Sequence, residues 1–203
     1  MNVTFMKNPP DSAPVQMYSE NLAIVDKVKI LGVTISSDLK WDLHLSQVKR
    51  KASNKLYMLK VLKKFSLSVD DLITIYRCYV RPLLEYAVPV WNAGITESQV
   101  LMLERVQKRA LRIILGPDYL SYDHALELCN LTSLQERRKM LCVKFAMDMY
   151  KSDEFSAWLP LKVKDKVQYS LRNANHFNKI KCRTNRFQIS AIPYFVDLLN
   201  ELM

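Results

Sequence analysis

Lys27-Val28-Lys29-Ile30-Leu31-Gly32-Val33-Thr34-Ile35, followed by Ser36-Ser37-Asp38-Leu39-Lys40-Trp41-Asp42-Leu43-His44-Leu45, leads into a basic run that continues to Lys64. Val28, Ile30, Val33 and Ile35 are β-branched, and Val28-Lys29-Ile30 alternates apolar with polar, the period of a half-buried strand. Gly32 interrupts it, as a glycine does at a bulge or where another backbone comes close. Ser36-Ser37-Asp38 is turn chemistry. From Trp41 the period changes. Apolar residues at 41, 45, 48, 52, 56, 59 and 62 fall, at about 100° per residue, within one arc roughly 120° wide, which predicts an amphipathic helix. Lys49, Arg50, Lys60 and Lys64 project from one flank with Tyr57 among them, and Lys51 and Lys55 from the other. A sheet fragment thus hands over to a positively charged helix.

Composition points the same way. A chain of 203 residues, 49% hydrophobic and 25% charged, buries a sizeable core and is not a disordered tail. Three glycines among many Leu, Lys, Ala, Met and Arg residues favour helix over an all-β fold. The net charge of +10 is concentrated: residues 41–65 carry +6, 97–116 carry +2, 161–187 carry +7, and the remainder is acidic. Such clusters attract polyanions, because each Lys or Arg set against a phosphate releases condensed counterions. Nucleic acid comes first and an anionic membrane second. No run of about eighteen apolar residues exists, so no membrane span is expected. Cys78, Cys129, Cys142 and Cys182 are widely separated, with no Cys-x-x-Cys pair and no signal peptide. They read as free thiols in a reducing compartment, nuclear or cytoplasmic.

Outward from the basic helix, residues 1–20, with Pro9, Pro10 and Pro14, read as an extended lead-in with one edge strand at 3–6. Residues 22–35 read as two short strands turning around Asp26-Lys27. On the C-terminal side, Ser68-x-x-Asp71 caps a second helix with Leu72, Ile75, Tyr76, Tyr79 and Leu83 inward, to be kinked or ended by Pro82. A short helical or extended piece, 84–91, precedes the Asn92-Ala93-Gly94 turn. Thr96-x-x-Gln99 caps a third helix running to Leu115, stopped by Gly116-Pro117, with Val100, Leu103, Val106, Ala110, Ile113 and Ile114 as core. Arg105, Lys108, Arg109 and Arg112 recur every three or four residues on it as a basic ridge. That ridge is either a phosphate-binding face or a solvated one, and Tyr57 is either a stacking platform for a base or an ordinary surface tyrosine. Helices at 122–129 behind Ser121 and at 134–150 behind Ser133, the latter with Leu134, Leu141, Phe145 and Met149 inward, complete the predicted bundle. Residues 161–187 read as an irregular basic arm, with a last short helix after Pro193.

Several of these runs resemble a known family. Ile30-Leu31-Gly32-Val33-x-Ile35-x-x-x-Leu39-x-Trp41-x-x-His44-Leu45 is similar to the segment just after the catalytic core of LINE-type, jockey-like non-LTR retrotransposon reverse transcriptases. Tyr76-x-x-Tyr79-Val80-Arg81-Pro82-Leu83-Leu84-Glu85-Tyr86-Ala87, the run from Leu103 to Ile114, Leu134-x-Glu136-Arg137-Arg138, and Lys181-Cys182-Arg183-Thr184-Asn185-Arg186-Phe187 continue the likeness in order. The resemblance implies primer-grip strands left over from a palm at 1–40, with Leu31 and Gly32 as the grip, a helical thumb-like bundle at 41–116, and a helical, basic extension at 117–203.

The fold expected is therefore mainly α: a thumb-like bundle with a short N-terminal β-hairpin and a partly irregular basic C-terminal extension. The resemblance further implies binding of an RNA template paired with a DNA primer. The contacts expected are Lys49, Arg50, Lys60, Lys64, Arg105, Lys108, Arg109, Arg112, Lys179, Lys181, Arg183 and Arg186. Synthesis in that family uses magnesium held by aspartates in an aromatic-x-Asp-Asp motif, which the resemblance places upstream, in a palm and fingers part that this chain would need as its partner. The Asp-Asp here is Asp70-Asp71, preceded by Ser68-Val69 at a helix start, where acidic residues complement the dipole. No catalytic set and no cofactor are expected in this chain. His44, His124 and His176 lack partners at metal-ligand spacing, and His44 reads as a packing partner of Trp41. Two other readings stay open: a stand-alone helical protein whose basic faces meet an acidic protein partner, and a relic of a decayed element.

Overall fold

The long basic helix forms as its period dictates. In the computed structural model, which describes residues 15–166 and 172–203, α1 (Asp42–Lys64) buries Leu45, Val48, Ala52, Leu56 and Leu59, and Trp41 and Leu62 pack half-buried beside them. Each such leucine contributes about 1.5–3 kcal/mol relative to exposure. The strand expected at 3–6 lies outside the described residues.

A second long helix, α5 (Glu97–Leu115), packs along α1. Its start is the capping box read from Thr96 and Gln99: the Gln99 N–H donates to the Thr96 hydroxyl at 3.4 Å and the Thr96 N–H to the Gln99 side chain at 2.8 Å. It ends at Gly116, whose φ of 62° is left-handed. Leu103, Val106, Ala110 and Ile114 are buried as expected, Val100 and Ile113 only half so, and Gln99, Glu104, Gln107 and Leu111 join the inner face.

Between these helices the chain runs through α2 (Val69–Ile75), a π-helical turn (Tyr76–Val80) and α3 (Arg81–Glu85) without a break. Ser68 caps α2 as expected, its hydroxyl accepting the Asp71 N–H at 3.1 Å. The inward face differs from the expectation. Leu72, Ile73, Tyr76, Val80 and Leu84 are buried, whereas Ile75 and Leu83 are half-buried and Tyr79 faces out. Residues recurring every four positions drift around a 3.6-residue helix, and the wider i→i+5 turn cancels that drift. The same turn takes up Pro82, whose missing N–H would otherwise break the ladder, so the proline neither ends nor stops the helix. Ala87, left-handed at φ 52°, then redirects the chain into α4 (Val88–Trp91), where the Trp91 indole is fully buried and donates to the Tyr86 carbonyl at 2.9 Å.

The hairpin turns later than expected. β3 (Lys27–Ile30) pairs antiparallel with β4 (Val33–Ser36), Ile30 opposite Val33, so that Leu31-Gly32 rather than Asp26-Lys27 is the two-residue loop. Both loop residues have positive φ, 45° and 88°, the geometry that matches strand twist and favours glycine. β4 is seated on α1: the Thr34 N–H donates to His44 Nδ1 at 3.3 Å and the Thr34 hydroxyl to Gln47 at 3.0 Å. A smaller hairpin, β1 (Gln16–Met17) and β2 (Glu20–Asn21), is exposed throughout.

The C-terminal half caps as read: Ser121 starts α6 (Tyr122–Leu128) and Ser133, with Glu136 in a capping box, starts α7 (Leu134–Lys151). The buried stripe of α7 is Leu134, Arg138, Cys142, Ala146 and Met149; Leu141 is only half-buried and Phe145 is exposed. Arg138 at its centre displaced the expected phase. The arm expected to be irregular over 161–187 holds a helical turn near each end, the first being α8 (Val163–Lys166). Residues 172–184 are irregular but not loose: the Phe177 ring is buried against Tyr150, its N–H donates to Asn200 Oδ1 at 2.7 Å, and its carbonyl accepts from Asn200 Nδ2 at 3.1 Å. A short α9 (Asn185–Gln188) leads to α10 (Ala191–Leu202), which starts two residues before Pro193 and takes that proline into its first turn, where a missing N–H is harmless. The buried residues from Leu45 to Leu199 form one cluster. The fold is mainly α with two short antiparallel hairpins near the N-terminus, and among the described residues no helix is long and apolar enough to cross a membrane.

Candidate nucleic-acid interface

Two hydrogen bonds fix how the basic helices lie. Gln99, in the first turn of α5, donates its amide to Asp42, at the start of α1, at 2.6 Å. Lys63, in the last turn of α1, donates its ammonium to the Ile114 carbonyl near the end of α5 at 2.8 Å. The helices therefore run parallel, start beside start and end beside end.

Asp42 also marks the azimuth at which α1 meets α5. At about 100° per residue, Lys60 shares that azimuth, and Lys49, Lys64 and Tyr57 lie within about 60° of it. All four are exposed, so they form the α1 rim of the outward groove between the helices. On α5, Arg109 lies about 80° and Arg105 about 120° from Gln99, on the solvent side, and both are exposed. Arg109 borders the outward side next to α1, and Arg105 faces solvent beyond it. By these azimuths Lys49, Lys60, Lys64, Arg105 and Arg109 share the outward side of the paired helices.

The other residues expected at a binding surface are placed elsewhere. Arg50 sits further round α1, facing solvent. Lys108 and Arg112 turn to the far edge of α5, with Lys108 Nζ 4.6 Å from the centre of the Tyr122 ring and the Arg112 guanidinium 5.1 Å from that of Tyr119; each is a cation–π contact. In the arm, Arg186 donates to the Asp38 carbonyl and, with Thr184 and Phe187, borders a cavity of about 1100 Å³ at the starts of α1 and α5. Lys179 borders a recess beside Pro193 and Val196 of α10, and Lys181 and Arg183 are exposed nearby in sequence. Leu31 and Gly32 are remote from the groove, because Thr34 joins β4 to the side of α1 about 150° from Asp42. Leu31 is 87% exposed. Gly32 lies under Tyr86, whose ring carbon would sit 3.2 Å from an added Cβ and whose hydroxyl donates to the Leu31 carbonyl at 2.6 Å.

Lys63 was not singled out, since its azimuth falls inside the apolar arc. The available signal was its place in the last turn, where a cation meets unsatisfied carbonyls. With both helix ends side by side, Lys63, Lys64 and Arg112 offset two negative dipole ends.

His44 behaves as a packing residue. Its ring centre is 6.2 Å from that of Trp41 and 6.1 Å from that of Trp91, and burial, helped by Lys51, holds its pKa below the ordinary histidine value. The Asp71 carboxylate is taken by the Ser68 hydroxyl at 2.6 Å, and among the described residues no three His, Cys, Asp or Glu side chains come together. Comparison with known proteins yields no matching family model, no matching curated protein and no matching solved structure.

Proposed function

We propose that the chain is the post-palm portion of a LINE-type reverse transcriptase, a non-catalytic clamp that holds an RNA template paired with a DNA primer by its phosphates. The observation that carries this reading is that two long helices run parallel and side by side while Lys49, Lys60, Lys64, Arg105 and Arg109 stand exposed on their outward sides. Sequence order adds to it: the runs that resemble the family fall in turn on the β3–β4 hairpin with the start of α1, on the π turn and α3, on α5, on the start of α7, and on the arm that leads into α9. A palm and fingers part is the expected neighbour. Val15, Tyr18, Ile24, Ile30 and Leu31 are large apolar side chains left exposed near the N-terminus, a surface suited to meeting another protein part.

The test is an equilibrium titration of an RNA–DNA hybrid against rising salt. Five phosphate contacts give a slope of log affinity against log salt of about −4.5, with no nucleotide incorporation by the chain alone. An affinity that does not change with salt, or that an acidic protein competes for while the hybrid does not, would overturn the reading.

A further inference from the structure

Resting on the nucleic-acid reading above, we infer that the α1/α5 groove takes a single unpaired strand of RNA or DNA, with Tyr57 as the surface on which one base stacks. Packed helices run about 8–10 Å apart axis to axis. Cationic rims on two such helices are spaced to flank one phosphodiester backbone at a time, which an unpaired strand presents with its bases free and a hybrid presents as one of its two. Lys49 to Lys64 spans fifteen residues, about 22 Å at the helical rise, which matches a site of about four to five nucleotides, at the small end for single-strand binders.

Tyr57 supplies what a purely electrostatic groove lacks. It stands on the same flank as Lys60 and Lys64, about a turn before the first and two turns before the second, 72% exposed. Tyr119, Tyr122 and Tyr150 are each covered by a cation, whereas the Tyr57 ring, like that of exposed Tyr79, enters no aromatic or cation–π pair among the described residues. What sets Tyr57 apart from Tyr79 is its place on a flank with Lys60 and Lys64. A ring left open between cations is the arrangement in which a base stacks while its flanking phosphates are neutralised, and stacking of this kind tolerates any base.

The experiment measures fluorescence anisotropy of the whole chain with labelled oligo(U) and oligo(dT) of two to twelve nucleotides, and with an RNA–DNA hybrid, between 50 and 200 mM salt. The single strands are expected to bind with affinity that stops rising at about five nucleotides and falls about a hundredfold across that salt range, the loss for five contacts on a single strand. Tyr57→Ala should weaken single-strand binding about 5- to 100-fold, Tyr57→Phe should retain it, and Tyr79→Ala, an exposed tyrosine on a helix that does not border the groove, should leave it unchanged. Circular dichroism confirms that each variant is folded. Binding of the hybrid without binding of single strands, or an unchanged affinity in Tyr57→Ala, overturns this inference and leaves the clamp reading standing. Failure to bind any of the nucleic acids overturns both.

Discussion

α1 and α5 lie side by side and point the same way, yet they hold their neighbours by opposite means. The inner face of α1 is apolar except for His44. The inner face of α5 carries Gln99, Glu104 and Gln107, which reach outward to other elements, Glu104 and Gln107 meeting at Tyr122. Gln107 accepts from the Tyr76 hydroxyl at 2.5 Å and donates to the Tyr122 hydroxyl and the Thr132 carbonyl, both at 2.9 Å. Glu104 accepts from the Tyr122 hydroxyl and, at 3.0 Å, from the Leu134 N–H at the start of α7. Burial, followed by that hydrogen bond to Glu104, pushes the Tyr122 pKa up, which keeps its proton in place. Apolar contact is non-directional and holds helices together without choosing a register. A polar network makes its bonds in only one arrangement, so α5 fixes where the π turn, α6 and the start of α7 sit.

The comparison is broken most severely at Arg138, fully buried on α7, with its Nε donating to Asn92 at 3.1 Å. Burial lowers its pKa and the Glu104 charge opposes that shift. Arg138→Ala is expected to lower unfolding free energy in urea by about 3–5 kcal/mol, because it empties a fully buried position and breaks the bond to Asn92. A double variant Glu104→Gln/Arg138→Met should cost less than the sum of the two single changes; strict additivity would show that the pair is not coupled.

On the apolar side, Leu56→Ala should cost about 2–5 kcal/mol in the same measurement through lost burial and the cavity left behind. Thr96→Ala, which removes the hydroxyl capping α5, should cost about 1 kcal/mol. The smallest effect concerns the one polar residue inside α1. Nδ1 of His44 accepts the Thr34 N–H, so protonation there sets one donor against another. With its folded pKa held below the unfolded value of about 6.5, the unfolded chain binds the proton more readily. The His44 contribution is therefore complete above that pH and declines as the pH falls below it. Melting temperature should drop more between pH 7.5 and pH 5 in the wild type than in His44→Gln, and equal drops would show that His44 is not responsible.

What could be read in the residues follows the same division. The stripe of α1 and the caps at Ser68, Thr96, Ser121 and Ser133 are local patterns, and each is where the spacing put it. Features that depend on a distant partner were not legible. Arg138 occupies a core position that a hydrophobic template assigns to Leu141 and Phe145. The π turn was hidden because a four-residue repeat at 72, 76, 80 and 84 looks like an ordinary helix with a blurred face. Phe177 is one aromatic residue in a basic arm, and only Asn200 and Tyr150 make it an anchor. The groove was half legible: the charges of α1 and α5 were visible, while their alignment required Asp42, Gln99, Lys63 and Ile114 to meet.

Whether position or mere abundance of charge governs binding is the central question, and one paired comparison answers it. Lys49, Lys60, Lys64, Arg105 and Arg109 are replaced by alanine in one variant, and Lys27, Lys29, Lys139, Lys144 and Lys151, all exposed outside the groove, in another, so both lose the same net charge. Affinity for an RNA–DNA hybrid is then measured at 50 mM salt. The groove variant should lose at least about a hundredfold and the other only a few-fold. Equal losses, or no binding by the unaltered chain, would contradict the account.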